Sequence, residues 1–149
     1  QHADTSRVLA TKGQSAGKGS QYFWLSKDCF DFFPALTIRN KRGIKGTLST
    51  LIEMEYVDLK IKEQVRVTYE ADNNLDFRLG TGALRYTKIA SPEDLACLTR
   101  IGESNYQLRI INQQNSKYSI LEKYAINHIG NRGKRYGYID NIQFFNILN

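Results

Sequence analysis

Two short basic stretches stand out. Arg39 to Lys45 reads Arg-Asn-Lys-Arg-Gly-Ile-Lys, four cations and one glycine in seven positions. Gly130 to Tyr136 reads Gly-Asn-Arg-Gly-Lys-Arg-Tyr. Each lies beside a strand-like segment. A rigid sheet presenting cations to a polyanion is one reading, and a pair of solvated turns is the other. A further polar group lies between them: Arg66, Glu70, Asp72, Asn73, Asn74 and Arg78. Arginine can hydrogen-bond guanine through two donors in the major groove, asparagine matches adenine, and a carboxylate accepts from cytosine N4. Acid interleaved with arginine in a basic chain points to base readout, because an unspecific binder needs cations and aromatics and little acid.

Groups suited to catalysis are sparse. The histidines are His2 and His128. His128 falls on the apolar side of a helical pattern and reads as a packed core residue rather than a base. Neither histidine has metal-ligand spacing to a cysteine or to the other. No Gly-x-Ser-x-Gly occurs. Cys29 and Cys97 form no CxxC and read as small core hydrophobes. Glu70-Ala-Asp72 has the carboxylates of a metal-dependent nuclease, but solvated hairpin charges or base-edge acceptors are simpler. No catalytic residue, metal or cofactor is assigned.

The chain that must position these groups has 149 residues, 41% hydrophobic and 24% charged. That fits one domain with a real core. A net charge of +6 and a pI near 9.3 favour an anionic partner. The surplus is terminal. Residues 1–50 carry 8 Lys/Arg against 3 Asp/Glu, residues 51–100 carry 7 against 9, and residues 101–149 carry 6 against 3. Folding that unites the ends would concentrate cations on one face. No apolar run approaches the ~18 residues of a membrane span, and no signal peptide is visible. The opening Gln-His-Ala-Asp lacks a methionine and reads as the start of a fragment.

Periodicity supplies the elements. Residues 1–20, rich in glycine from Thr11 onward, read as a mobile arm or linker. Gln21 to Leu25 is an aromatic strand whose Trp24 faces either core or cleft. Ser26 caps a brief helix from Lys27 to Phe33, stopped by Pro34, with Phe30 and Phe33 inward. Leu36 to Asn40 and Thr47 to Met54 form a hairpin across the first basic stretch. Tyr56 to Lys62 and Gln64 to Glu70 alternate, Asp72 to Asn74 is a turn, and Leu75 to Leu79 is a strand. Ala83 to Ala90 reads as a strand, and Ser91-Pro-Glu-Asp opens a short helix. Tyr106 to Asn112 is a strand, Ser116 to Ile129 a helix, and Arg135 to Ile139 a strand. Asp140 caps a final helix with Phe144, Ile147 and Leu148 inward. Many short strands with short helices at the corners predict a mainly β domain, a compact barrel or strongly bent antiparallel sheet.

Five stretches together resemble one family. They are Gly19-Ser-Gln-Tyr-Phe-Trp-Leu-Ser-Lys-Asp28, Phe32-Phe-Pro-Ala-Leu-Thr-Ile-Arg-Asn-Lys-Arg-Gly43, Asp76-Phe-Arg-Leu-Gly-Thr-Gly82, Tyr106-Gln-Leu-Arg-Ile-Ile111 and Ile129-Gly-Asn-Arg-Gly-Lys-Arg-Tyr136. The chain resembles the C-terminal DNA-recognition domains of restriction endonucleases of the BfiI and NgoAVII type. The likeness covers nearly all of residues 1–149, beginning at His2-Ala-Asp-Thr. It implies a DNA-binding pseudobarrel, shared with plant "B-three" transcription-factor domains: an open antiparallel β-barrel whose two arms grip duplex DNA from the major-groove side. It implies the target-recognition domain of a type II restriction endonuclease, binding double-stranded DNA at a specific short site. The parent would carry an N-terminal phospholipase-D-type nuclease that cuts without metal, act as a homodimer and work in the bacterial cytoplasm. The fragment would be monomeric. It lacks a His-x-Lys motif after either histidine, so it should bind and not cut.

The same resemblance implies the contacts. An N-terminal arm from Ser6 to Lys18 would hold Arg7, and a C-terminal arm from Asp58 to Asn74 would hold Arg66. Ser20, Trp24, Arg42 and Lys134 match binding-surface positions. Arg42, Lys134, Lys18 and Ser20 would hold the DNA backbone. Arg7 and Arg66 would contact base edges, helped by Asp72, Asn73 and Asn74. Ser20 stands where the family pattern has threonine, which keeps the hydroxyl. The arms depart most from that pattern, at Val8 to Gly17 and Leu59 to Val65, so the target sequence need not be shared. The competing readings are a self-contained metal-dependent nuclease on Glu70 and Asp72, and an unspecific polyanion binder.

Overall fold

In the computed structural model, residues 2–14, 22–42, 45–70, 76–130 and 133–149 are described. The elements in chain order are α1 (His2–Leu9), β1 (Tyr22–Leu25), β2 (Ile38–Arg42), β3 (Lys45–Tyr56), β4 (Ile61–Glu70), β5 (Asp76–Gly80), β6 (Leu95–Arg100), β7 (Asn105–Ile111), α2 (Tyr118–Glu122), β8 (Asn127–Ile129), β9 (Lys134–Tyr136) and α3 (Asn141–Leu148).

The long strand β3 organises the sheet. Its alternation buries Ile52, Met54 and Tyr56 and leaves Leu51 and Glu53 exposed. Along one edge β4 pairs antiparallel from Thr47↔Glu70 to Tyr56↔Ile61. The other edge is shared: β2 takes its first half antiparallel, and β7 takes Glu53 to Tyr56 in parallel. The strand order is β1-β5-β4-β3-β7-β6, with β2 beside β3, and β8–β9 forms a separate ribbon. One strand with two successive neighbours on one edge curls the sheet into an open half-barrel. The antiparallel expectation holds for every ladder of the large sheet except β3–β7.

The concave side is filled by Ile52, Met54, Tyr56, Val65, Val67, Phe77, Leu79, Tyr106 and Leu108. Phe33 packs against Phe77 and Tyr106 with ring centroids 5.5 Å apart in both cases. The Tyr106 hydroxyl donates to the Phe32 carbonyl at 2.6 Å. A second cluster, centred on Ile111, Leu121 and Phe144, joins α2 and α3 to β6 and β7. Between the clusters lies a cavity of about 370 Å³, bordered by Leu25, Cys29, Cys97, Leu108, Leu121 and Tyr138 among others. Both cysteines are free. Burial pushes the Cys97 thiol up to about 12, against a smaller opposing pull from Arg109.

Several local expectations change. Residues 2–9 are helical, and Val8 is fully buried, because the Arg7 and Val8 carbonyls accept from Tyr86 and Lys88 amides at 3.0 and 2.8 Å. The first part of the expected N-terminal arm is therefore packed against the barrel. Tyr56 to Lys62 is not one strand. A 3-10 turn at Val57–Leu59 and a left-handed Lys60 (φ 55°) reverse the chain there. Asp58 is anchored, since its carboxylate accepts from the Ile110 amide at 2.8 Å. The expected C-terminal arm thus begins in a tight turn and continues as β4, an interior strand between β3 and β5.

Ala83 to Ala90 is a 3-10 turn and loop with positive φ at Tyr86 and Lys88, which no strand accommodates. Ser91 to Asp94 closes a single turn and leads into β6, because pairing with β7 outweighs the local helix signal. Helix α2 ends at Glu122, and His128 lies exposed on β8 rather than in the core. Phe30 is 61% exposed, and Phe32 packs inward beside Phe33 instead. Ser26 and Asp140 cap as expected. The Ser26 hydroxyl accepts from the Asp28 amide at 3.3 Å, and the Asp140 carboxylate accepts from Ile142 and Gln143 amides at 2.9 and 3.3 Å.

Candidate nucleic-acid interface

The convex face is read from the ladder registers. Residues directly opposite in a ladder share a face. Ser49 pairs with Thr68, Thr68 with Arg78, and Arg78 with Trp24, giving one transverse row from β3 to β1. The adjacent row holds Leu51 and Arg66, and continues through Gly80 to Tyr22. Arg66 and Trp24 therefore lie on one face, two strand spacings (roughly 10 Å) apart across the sheet and one row apart along it.

Two arginines of this face are held by neighbouring side chains. Arg66 is exposed on β4, and its Nη1 donates to the buried Ser49 hydroxyl at 2.7 Å. Arg78 Nη1 lies 3.0 Å from a Glu70 carboxylate oxygen, and its guanidinium carbon lies 4.2 Å from the Tyr22 ring centroid. A cation held by a carboxylate and an aromatic face is preorganised and partly desolvated. Glu53, exposed, and Glu55, paired with Lys62 at 3.4 Å, lie toward the β3–β4 turn. Arg66 and Arg78 lie toward the other end of the face.

Trp24 sits at the last strand of the sheet. Its amide donates to Asp4 Oδ1 at 3.2 Å, and its carbonyl accepts from the Lys134 ammonium. That ammonium is 2.8 Å from Asp4 Oδ2, with the two side chains 14% and 8% exposed. Against the indole lies Gly130, the residue after β8, with φ +62°. A Cβ there would lie 3.0 Å from Trp24 Cη2 and Cζ3. Gly130 and Lys134 of the second basic stretch are thereby docked beside Trp24, on the face that carries Arg66.

The remaining expected contacts place as follows. Arg7 lies in α1 with its guanidinium carbon 5.3 Å from the Tyr86 ring centroid, and its buried Nε has no hydrogen-bond partner among the described residues. Arg42 ends β2, paired with Lys45 in the ladder. Lys18, Ser20, Asp72, Asn73 and Asn74 fall outside the described residues. Asp4, Ser49, Tyr22 and Arg78 emerge as parts of the site. Only Arg78 has a sequence signal, as a polar-side residue of its strand. The others depend on ladder register and on contacts between distant segments.

Glu70, half of the proposed metal pair, is bound to Arg78. Among the described residues no group of three His, Cys, Asp or Glu is arranged to hold a metal ion. Among them, too, no helix is long and apolar enough to cross a membrane.

The curled open half-barrel with its few short helices is the architecture of a DNA-binding pseudobarrel. The chain matches, over residues 1–149, the family model of the metal-independent restriction enzyme BfiI DNA-binding domain, and it belongs to that family. It is the binding domain of such an enzyme, recognises DNA sequence-specifically and is not the catalytic part. Among curated proteins, none matches the chain by sequence.

Proposed function

We propose that the convex face of β1, β5, β4 and β3 is the surface that reads duplex DNA, applied to the major groove. The observation that carries this is Arg66. It is exposed on an interior strand paired on both sides, and one of its nitrogens is held by Ser49 at 2.7 Å. A guanidinium fixed in this way suits the two-donor recognition of a guanine edge. Arg66 contacts base edges. Asp72, Asn73 and Asn74 at the end of β4 assist it, and Arg7 does so from α1. Arg42, Lys18 and Ser20 hold the backbone, and Trp24 belongs to the same surface. Lys134 belongs to the same surface, in the part assigned below.

The wider reading follows the family. The domain serves a type II restriction endonuclease of the bacterial cytoplasm, beside an N-terminal nuclease domain of the same chain, in a homodimeric parent. Selection from randomised duplexes identifies the site. Dimethyl sulfate protection on the selected duplex then tests the groove. Protection of guanine N7, in the major groove, is expected, with adenine N3 in the minor groove left reactive. The reverse pattern would refute this placement.

A further inference from the structure

β1 is the last strand of its sheet, and Trp24 shows how its outer edge is closed. The Trp24 amide and carbonyl are both satisfied by side chains: the first by Asp4, the second by Lys134. The two side chains pair with each other at 2.8 Å. Acceptor, donor and ion pair form one ring around a single residue's backbone. This is what an additional strand would supply, built from opposite ends of the chain. Asp4 belongs to α1, which is fastened by Val8 in the core and by the Tyr86 and Lys88 amides. Lys134 opens β9, and its ribbon rests on the indole through Gly130.

We propose that Asp4 is a positioning residue for DNA recognition. With Lys134 it clamps the open edge of β1, and so fixes Trp24 and the paired strands β8 and β9 on the reading face. Lys134 then acts as a strut. Its charge is neutralised by Asp4 and its side chain is largely buried, so it adds little to the count of phosphate-neutralising cations. The inference rests on the DNA-binding face described above and gives that face a part no basic residue can fill: a carboxylate needed for binding a polyanion.

Charge alone and the clamp predict opposite results for Asp4→Asn. The substitution raises the net charge from +6 by one unit, which by electrostatics strengthens DNA binding. The clamp predicts roughly 3- to 30-fold weaker binding to the selected duplex, the range for network residues that do not touch the ligand. Trp24 is the sole tryptophan, so its emission reports on the clamp without DNA. It should shift to the red in Asp4→Asn and in Lys134→Met, and stay close to wild type in Lys134→Arg. Lys134→Met should also leave the salt dependence of binding unchanged, whereas loss of a direct phosphate contact lowers the slope by about 0.9. Should Asp4→Asn fail to fold, Asp4→Glu, which displaces the carboxylate by one methylene, replaces it with the same expected signs. Equal or tighter binding with unshifted emission overturns the proposal, and so does a lowered slope in Lys134→Met. If the wild-type domain shows no duplex preference, base reading itself has failed, and the emission of the free variants still tests the clamp.

Discussion

Replacing Arg66 by lysine separates charge from shape on the reading face. The charge is conserved, but the planar fork is lost, and so is the 2.7 Å tether to Ser49. A two-donor contact to guanine discriminates by about 1–3 kcal/mol, or roughly 5- to 150-fold at one base pair. The neighbouring strands hold the backbone of β4 on both sides, so the loss should stay local. Competition against every single-base variant of the selected duplex, at one salt concentration, gives the profile. Discrimination should collapse at one position and persist elsewhere, with an unchanged salt slope. Arg66→Met should lose the same discrimination and lower the slope by about 0.9. An unchanged profile in both variants would refute base reading by Arg66. A uniform loss at all positions would make Arg66 a backbone contact.

Other outcomes follow from the packing. Gly130→Ala places a Cβ at φ +62° and against Trp24, so thermal unfolding should show a loss of about 1–2 kcal/mol, accompanied by altered tryptophan emission. Ile52→Ala, at 1% exposure in the main cluster, should cost about 2–5 kcal/mol in denaturant titration, and a loss below about 1 would contradict the core described. Alkali should destabilise the fold. Burial raises Cys97 from 9.0 and Tyr106 from 10.0, each to about 12, so the folded state keeps protons that the unfolded chain releases earlier. Their contribution is complete below about pH 9 and is lost as the pH rises toward 12. Urea midpoints should fall over that interval, and a flat or rising midpoint would contradict it.

Where one face of a strand is buried, the sequence predicted it well. The alternation of Gln64 to Glu70 in β4 and the Asp140 cap needed only local chemistry. Misreadings arose where pairing overrode local preference. Ser91-Pro92 looks like a helix start, but the following residues are drawn into β6 by β7. The apolar spacing from Ile120 to Ile129 looks helical, yet Leu121 and Ile129 are its buried hydrophobics, one in α2 and one in β8. For the site, residue type pointed to Arg66 and family likeness to Trp24, Arg42 and Lys134. The contacts that fix the face join Asp4 to Lys134, Ser49 to Arg66 and Tyr22 to Arg78. Such partners are set by sheet order and register, which no local pattern reveals.

The most direct test of the reading face is an amide chemical-shift map of the domain titrated with its selected duplex and with a scrambled one. Perturbations specific to the selected duplex should concentrate on β1, β5, the Arg66 end of β4, the facing part of β3 and the β8–β9 turn. Specific perturbations confined to α2, α3 and β6, with the Arg66 row silent, would contradict it.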